Sequence, residues 1–110
     1  MGVRLERINS LIAQEVAELL REEFPPEEVG WISVTGVKTA PDLSEAVVFV
    51  SVFPEEAERK ALEALTRRSG LFRRHLAKKL RTKTVPRLRF EVDALTKLME
   101  RGAIKPPEGD

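Results

Sequence analysis

Cysteine and tyrosine are absent from this 110-residue chain, and tryptophan and histidine occur once each. Without cysteine there is no disulfide framework, no thiolate nucleophile and no sulfur-based metal site. Asn9 and Gln14 are the only side-chain amides, a scarcity that fits a heat-adapted source when Arg and Glu abound. Long apolar runs are also missing. The opening MGVRLERINSLIAQ has no unbroken apolar stretch of the signal-peptide kind, and no segment approaches the roughly 20 apolar residues of a membrane span. A cytoplasmic protein that engages no membrane is the expectation.

The catalytic inventory is equally thin. His75 lies inside a run of cations, a poor setting for an isolated general acid, and is expected to supply a polar contact or partial packing. No phosphate-cradling GxxxxGK[ST], GxGxxG or HExxH pattern occurs. The acidic pairs Glu22-Glu23, Glu27-Glu28 and Glu55-Glu56 read as solvated caps, and Asp42 as a local turn cap. Neither enzymatic activity nor a cofactor nor a bound metal is expected.

What the chain does have is segregated charge. The formal net charge is +1, from 19 Lys and Arg against 18 acids. Twelve of those cations fall within residues 59–89, where Glu63 is the single acid; the other seven share the rest of the chain with seventeen acids. A nearly neutral average thus conceals a basic segment on an acidic body, which draws polyanions to one side.

Length argues for one domain, expected over residues 1–104, with a disordered end at 105–110. Leu5, Ile8, Ile12, Val16, Leu19 and Leu20 recur at helical spacing and predict a first helix over 3–23, closed by Pro25 and Pro26, with a turn at Gly30. Trp31–Thr39 reads as a strand. After turn chemistry at 40–44, Ala46–Phe53 reads as the clearest strand, apolar enough to be covered on both faces. Pro54 starts a helical region running to about Leu80, with a weak point at Ser69-Gly70. Val85-Pro86 ends it, and Arg87–Val92 alternates as a half-buried strand. Leu95, Leu98 and Met99 predict a short closing helix. The fold class is therefore α+β: a three-stranded sheet with helices on one face, in α-β-β-α-β order with a kinked central helix.

On a helical wheel of residues 57–81, Leu62, Leu65, Phe72, Leu76 and Leu80 gather on one side. Lys60, Arg67, Arg74, Lys78 and Arg81 lie on the other, as a stripe roughly 30 Å long if the helix is straight. Arg68, Arg73 and Lys79 flank it; Lys83, Arg87 and Arg89 follow in the chain. Exposed helices ordinarily mix signs to avoid self-repulsion, so an unmixed row reads as a polyanion site. Aromatics are few, Phe72 projects to the apolar side, and Trp31 reads as a partly buried packing residue. Recognition through phosphates and shape is expected more than base readout. Ser69 and Gly70 are the expected kink that angles the two basic limbs.

These motifs together resemble the bacterial ribosome-binding factor A family. They are Arg7-Ile8-Asn9 with Gln14-Glu15-Val16-Ala17, then Val34-Thr35-Gly36-Val37 and Pro41-Asp42-Leu43-Ser44-Glu45-Ala46 leading into Val48–Val52. Ser69-Gly70-Leu71-Phe72-Arg73-Arg74 and Arg81–Phe90 complete the set. The resemblance implies a type II KH-like fold, with an Ala-x-Gly interhelical kink in place of the GxxG loop; Arg68 stands where that Ala is usual. A long C-terminal tail of the kind some members carry is not expected here, a departure from their pattern. Function is implied in the same way: a cytoplasmic, non-catalytic, monomeric factor that binds the 30S subunit and its 16S rRNA. Late subunit assembly, 16S rRNA 5′-end maturation and cold adaptation would be its roles. The alternatives are a protein-interaction module or a general RNA chaperone using the same basic face.

Overall fold

The computed structural model describes residues 2–81, 84–100 and 102. Helix α1 spans Gly2–Glu23, α2 Pro26–Val29, strand β1 Trp31–Thr39 and β2 Glu45–Phe53. A 3₁₀ turn at Glu55–Ala57 leads into α3 (Glu58–Arg67) and α4 (Ser69–Lys79); β3 (Arg87–Val92) and α5 (Ala94–Glu100) follow. The end expected to be disordered, 105–110, lies outside the described residues.

Alternating sequence becomes a sheet with order β1-β2-β3. β1 and β2 form an antiparallel hairpin, with the register shifted between Val34 and Gly36, and β2 pairs with β3 in parallel. A parallel neighbour requires a long return, which α3 and α4 supply. The hairpin turn is tied locally: the Asp42 carboxylate accepts from the Ser44 amide (3.0 Å) and hydroxyl (2.7 Å). These bonds, the hydroxyl's foremost, hold the Asp42 carboxyl below its ordinary value.

The helices cover one face of the sheet. Ala46, Val48, Val50 and Val52 of β2 with Leu88 and Phe90 of β3 are buried against Ile12, Val16, Leu65, Phe72 and Leu76. Ile8, Ile12, Val16, Leu19 and Leu20 are the buried stripe of α1, as its periodicity predicts. Thr39, buried in β1, donates to Asn9 Oδ1 at 2.6 Å and joins hairpin to helix. The expectation that β2 is covered on both faces fails: Val47, Phe49 and Ser51 on the other face are only half-buried. Gly36, opposite Phe49, has no side chain to cover it.

Two local readings also change. Pro25 and Pro26 do more than end α1, because Pro25 precedes the short α2 and Pro26 occupies its first turn, where a missing N–H is harmless. Trp31 is not a packing residue: it is 65% exposed, directly across from Phe53, itself 71% exposed.

Asp93 closes the fold by capping α5. Its Oδ1 accepts from the Thr96 amide (3.1 Å), and its Oδ2 accepts from the hydroxyls of Thr35 (2.6 Å) and Thr96 (2.9 Å). The Thr35 bond foremost, then the Thr96 amide, hold its carboxyl below the ordinary 3.8. A carboxyl depressed on folding stabilises above its unfolded pKa, and that contribution fades as pH falls through the folded value. Asp93→Ala is therefore expected to cost about 1 kcal/mol at neutral pH, the usual worth of a helix cap. In urea titrations the gap between the two proteins should narrow as pH falls below the ordinary 3.8.

Candidate nucleic-acid interface

The basic face is built on two helices rather than one. The chain leaves helical geometry at Arg68, with φ −104° and ψ 22°, so α3 ends at Arg67 and α4 begins at Ser69. The central helix is thus broken as expected, one residue before the Ser69-Gly70 weak point, and the basic stripe runs over two helices; Ser69 and Gly70 sit in the first turn of α4. Gly70 is not required there by crowding, since a Cβ would meet only Arg74 Nη1 at 3.9 Å. Tertiary contacts hold Arg68 at the break. Arg68 donates from Nη1 to the Glu23 carbonyl (3.0 Å) and from Nη2 to the Glu23 carboxylate (3.1 Å), and it lies over the Phe24 ring at 5.0 Å. Its guanidinium also satisfies a carbonyl left open at the end of α1. Arg68 is thus a structural pin between α1 and the α3–α4 joint.

Packing fixes how α4 presents its charges. Phe72 is fully buried, its ring 5.5 Å from Phe24 and 5.2 Å from Phe90. With Phe72 and Leu76 turned inward, Arg73, Arg74, Lys78 and Lys79 are exposed, and Arg81 is exposed just past the helix end. None of these five makes an ion pair among the described residues. Arg74 and Lys78, four apart, repel by a few tenths of a kcal/mol. Lys78 and Lys79 recover part of that cost at the negative end of the helix dipole.

The other cations expected at the site are distributed differently. Lys60 and Arg67, exposed on α3, share a depression of about 280 Å³ with Glu23 and Glu28, so nearby acids offset their field. Arg87 and Arg89 alternate with the buried Leu88 and Phe90 and so point away from the helices. Arg89 is held by Glu91 (3.0 Å) and Glu45 (3.9 Å). Lys83 lies outside the described residues. Among the described residues, the cations of α4 and Arg81 thus stand together without an ion pair, while Arg87, also without one, points away from the helices.

His75, half-buried on α4, makes the polar contact expected of it: its Nε2 lies 2.7 Å from Oε1 of the buried Glu15 on α1. This tie across 60 residues is invisible in the sequence, because an acid at position 15 carries no mark of burial. Ligand atoms of Glu15, Glu18 and His75 lie within 4.8 Å of one another. The direct bond between two of them accounts for the grouping as an interhelical tie. A row of cations on a packed helix suits a polyanion, whose charges it would neutralise.

Comparison with known proteins points the same way. A sequence model described as ribosome-binding factor A matches residues 4–102. Ribosome-binding factor A of Acinetobacter baumannii is 37% identical over 101 residues, covering 84% of this chain and 76% of that protein. The crystal structure of ribosome-binding factor A from Thermus thermophilus superposes with a TM-score of 0.70 at 27% identity, over 80% of this chain and 93% of that one. A homology model of the Thermus thermophilus factor, fitted into a cryo-EM map of its complex with the 30S subunit, gives 0.67 at 28% identity, over 79% and 92%.

Proposed function

We propose, from the premise that this chain belongs to the ribosome-binding factor A family, that it binds the 30S subunit by seating α4 on 16S rRNA phosphates. The observation that carries this reading is the unpaired row Arg73, Arg74, Lys78, Lys79 and Arg81 on a helix pinned by Phe72. The pin at Arg68 sets the angle between α4 and α3, and hence which RNA contour the row matches. The factor acts without catalysis: it shifts an RNA equilibrium by preferring one conformation over another. Late small-subunit assembly, 16S rRNA 5′-end maturation and a part in cold adaptation follow as its roles, performed by a monomer in the cytoplasm. No helix among the described residues is long and apolar enough to cross a membrane.

Co-sedimentation with purified 30S subunits across a salt series tests the reading. Five cations on five phosphates give a log–log slope of about −3.5 to −4.5, according to whether the RNA is single-stranded or duplex. A slope near zero would remove the basic row from the interface. Equal binding to any RNA would point to a general chaperone.

A further inference from the structure

Two exposed cations, Arg4 and Arg7, stand at the start of α1, far in sequence from the basic segment. At three- and four-residue steps along the helix each has only the other as a charged side-chain neighbour. Neither makes an ion pair among the described residues. Glu6, between them in sequence, projects to another side of the helix, about 100° from Arg7. Arg4 lines a depression of about 360 Å³ with Leu5, Pro41, Asp42 and Leu43. Asp42 is engaged there by the Ser44 amide and hydroxyl, so it offsets Arg4 in part without pairing with it.

Two interhelical ties fix where these arginines lie. Arg68, just before α4, binds Glu23 at the end of α1, and His75 within α4 meets Glu15 in the middle of α1. The two helices therefore run antiparallel, and the start of α1 lies beside the end of α4. Counted from the Glu15–His75 tie at about 1.5 Å per residue, Arg7 is about 12 Å along α1 and Arg81 about 9 Å along the opposing chain. The side of α1 that meets α4 is marked by Glu15 and Glu18, whose ligand atoms lie within 4.8 Å of those of His75. At about 100° per residue, Arg4 falls within about 10° of the middle of that side and Arg7 within about 50°. The row on α4 and Arg81 thus runs on across the helix pair. We propose that Arg4 and Arg7 continue the RNA-binding row and take two further phosphates, an inference that rests on the 30S reading above. Arginine suits this use, since its planar fork meets a phosphate through two parallel hydrogen bonds.

The test is co-sedimentation of full-chain variants with 30S subunits across a salt series. Arg4→Glu with Arg7→Glu should weaken binding at least about tenfold, as the loss of two charge-assisted contacts implies. The log–log slope should flatten by about 1.4–1.8, back to the five-cation value. Circular dichroism should be unchanged, because acids suit the opening of a helix. Arg4→Gln with Arg7→Gln removes the contacts without adding repulsion and should flatten the slope equally; it carries the test if the acidic pair disturbs α1. Arg21→Glu is the control for net charge, which it changes by as much as the glutamine pair. Arg21 is exposed on the same helix, about 21 Å from Arg7, and its reversal should alter binding less than about threefold. Folded double variants that bind with the slope of the intact chain, or no more weakly than Arg21→Glu, overturn the extension of the row. If reversal of Arg74, Lys78 and Arg81 still weakens binding in that case, the rRNA reading stands without the extension. If that reversal is also without effect, both fall.

Discussion

Reversing Arg74, Lys78 and Arg81 to Glu is expected to weaken binding to the small subunit by more than about a hundredfold while leaving the circular dichroism unchanged. Three charge-assisted contacts at about 1–1.5 kcal/mol each give that factor, and the introduced acids add repulsion. The salt dependence should flatten by about 2–3 units of log–log slope, because three fewer phosphates are neutralised. All three side chains are exposed, and none makes an ion pair among the described residues, so the fold loses no attraction. The same reversal at Arg68 would be uninformative. There it would break the ties to Glu23 and Phe24, and a binding defect would mix with an altered helix angle. Full binding by the folded triple variant would remove α4 from the interface.

Phe72→Ala carries the largest expected effect on stability, about 3–5 kcal/mol in a domain whose total is of order 5–15. The ring is fully buried between Phe24 and Phe90, so truncation leaves a cavity where α1, α4 and β3 meet. Phe72→Leu keeps most of the volume and should cost less than half as much. Urea titrations of both variants give the comparison. A loss below about 1 kcal/mol for the alanine variant would mean that the three-ring stack does not hold α4 in place. It would also undercut the view that packing presents the basic row as a rigid unit.

What the sequence could and could not convey follows from the range of each signal. The strand bounds Trp31–Thr39 and Arg87–Val92 coincide with those observed, because alternation and flanking turn residues are local. The stripe of α1 and the inward position of Phe72 are legible for the same reason. Helix α2 is not, since four residues are too few to show a period and its prolines read equally well as a stop. Gly70, a local cue, marks the broken helix to within two residues, but the tie of Arg68 to Glu23, 45 residues away, leaves no mark in the pattern. The tie from Glu15 to His75 and the offsetting of Lys60 and Arg67 by Glu23 and Glu28 are likewise tertiary. Trp31 and Phe53 are exposed because no element among the described residues covers them, which no pattern within β1 or β2 records. The candidate site thus shifts in emphasis: from eleven cations between Lys60 and Arg89 to five on and just beyond one helix.

The absence of cysteine makes the central claim open to a direct measurement. Single cysteines introduced as Lys78→Cys on α4 and Glu27→Cys on α2 each carry one tethered iron chelate, and hydroxyl radicals generated on 30S-bound factor cut nearby RNA. Strong, localised cleavage of 16S rRNA from position 78 and little or none from position 27 is the predicted result. Equal cleavage from both positions, or cleavage from position 27 alone, would contradict the docking of α4 on rRNA.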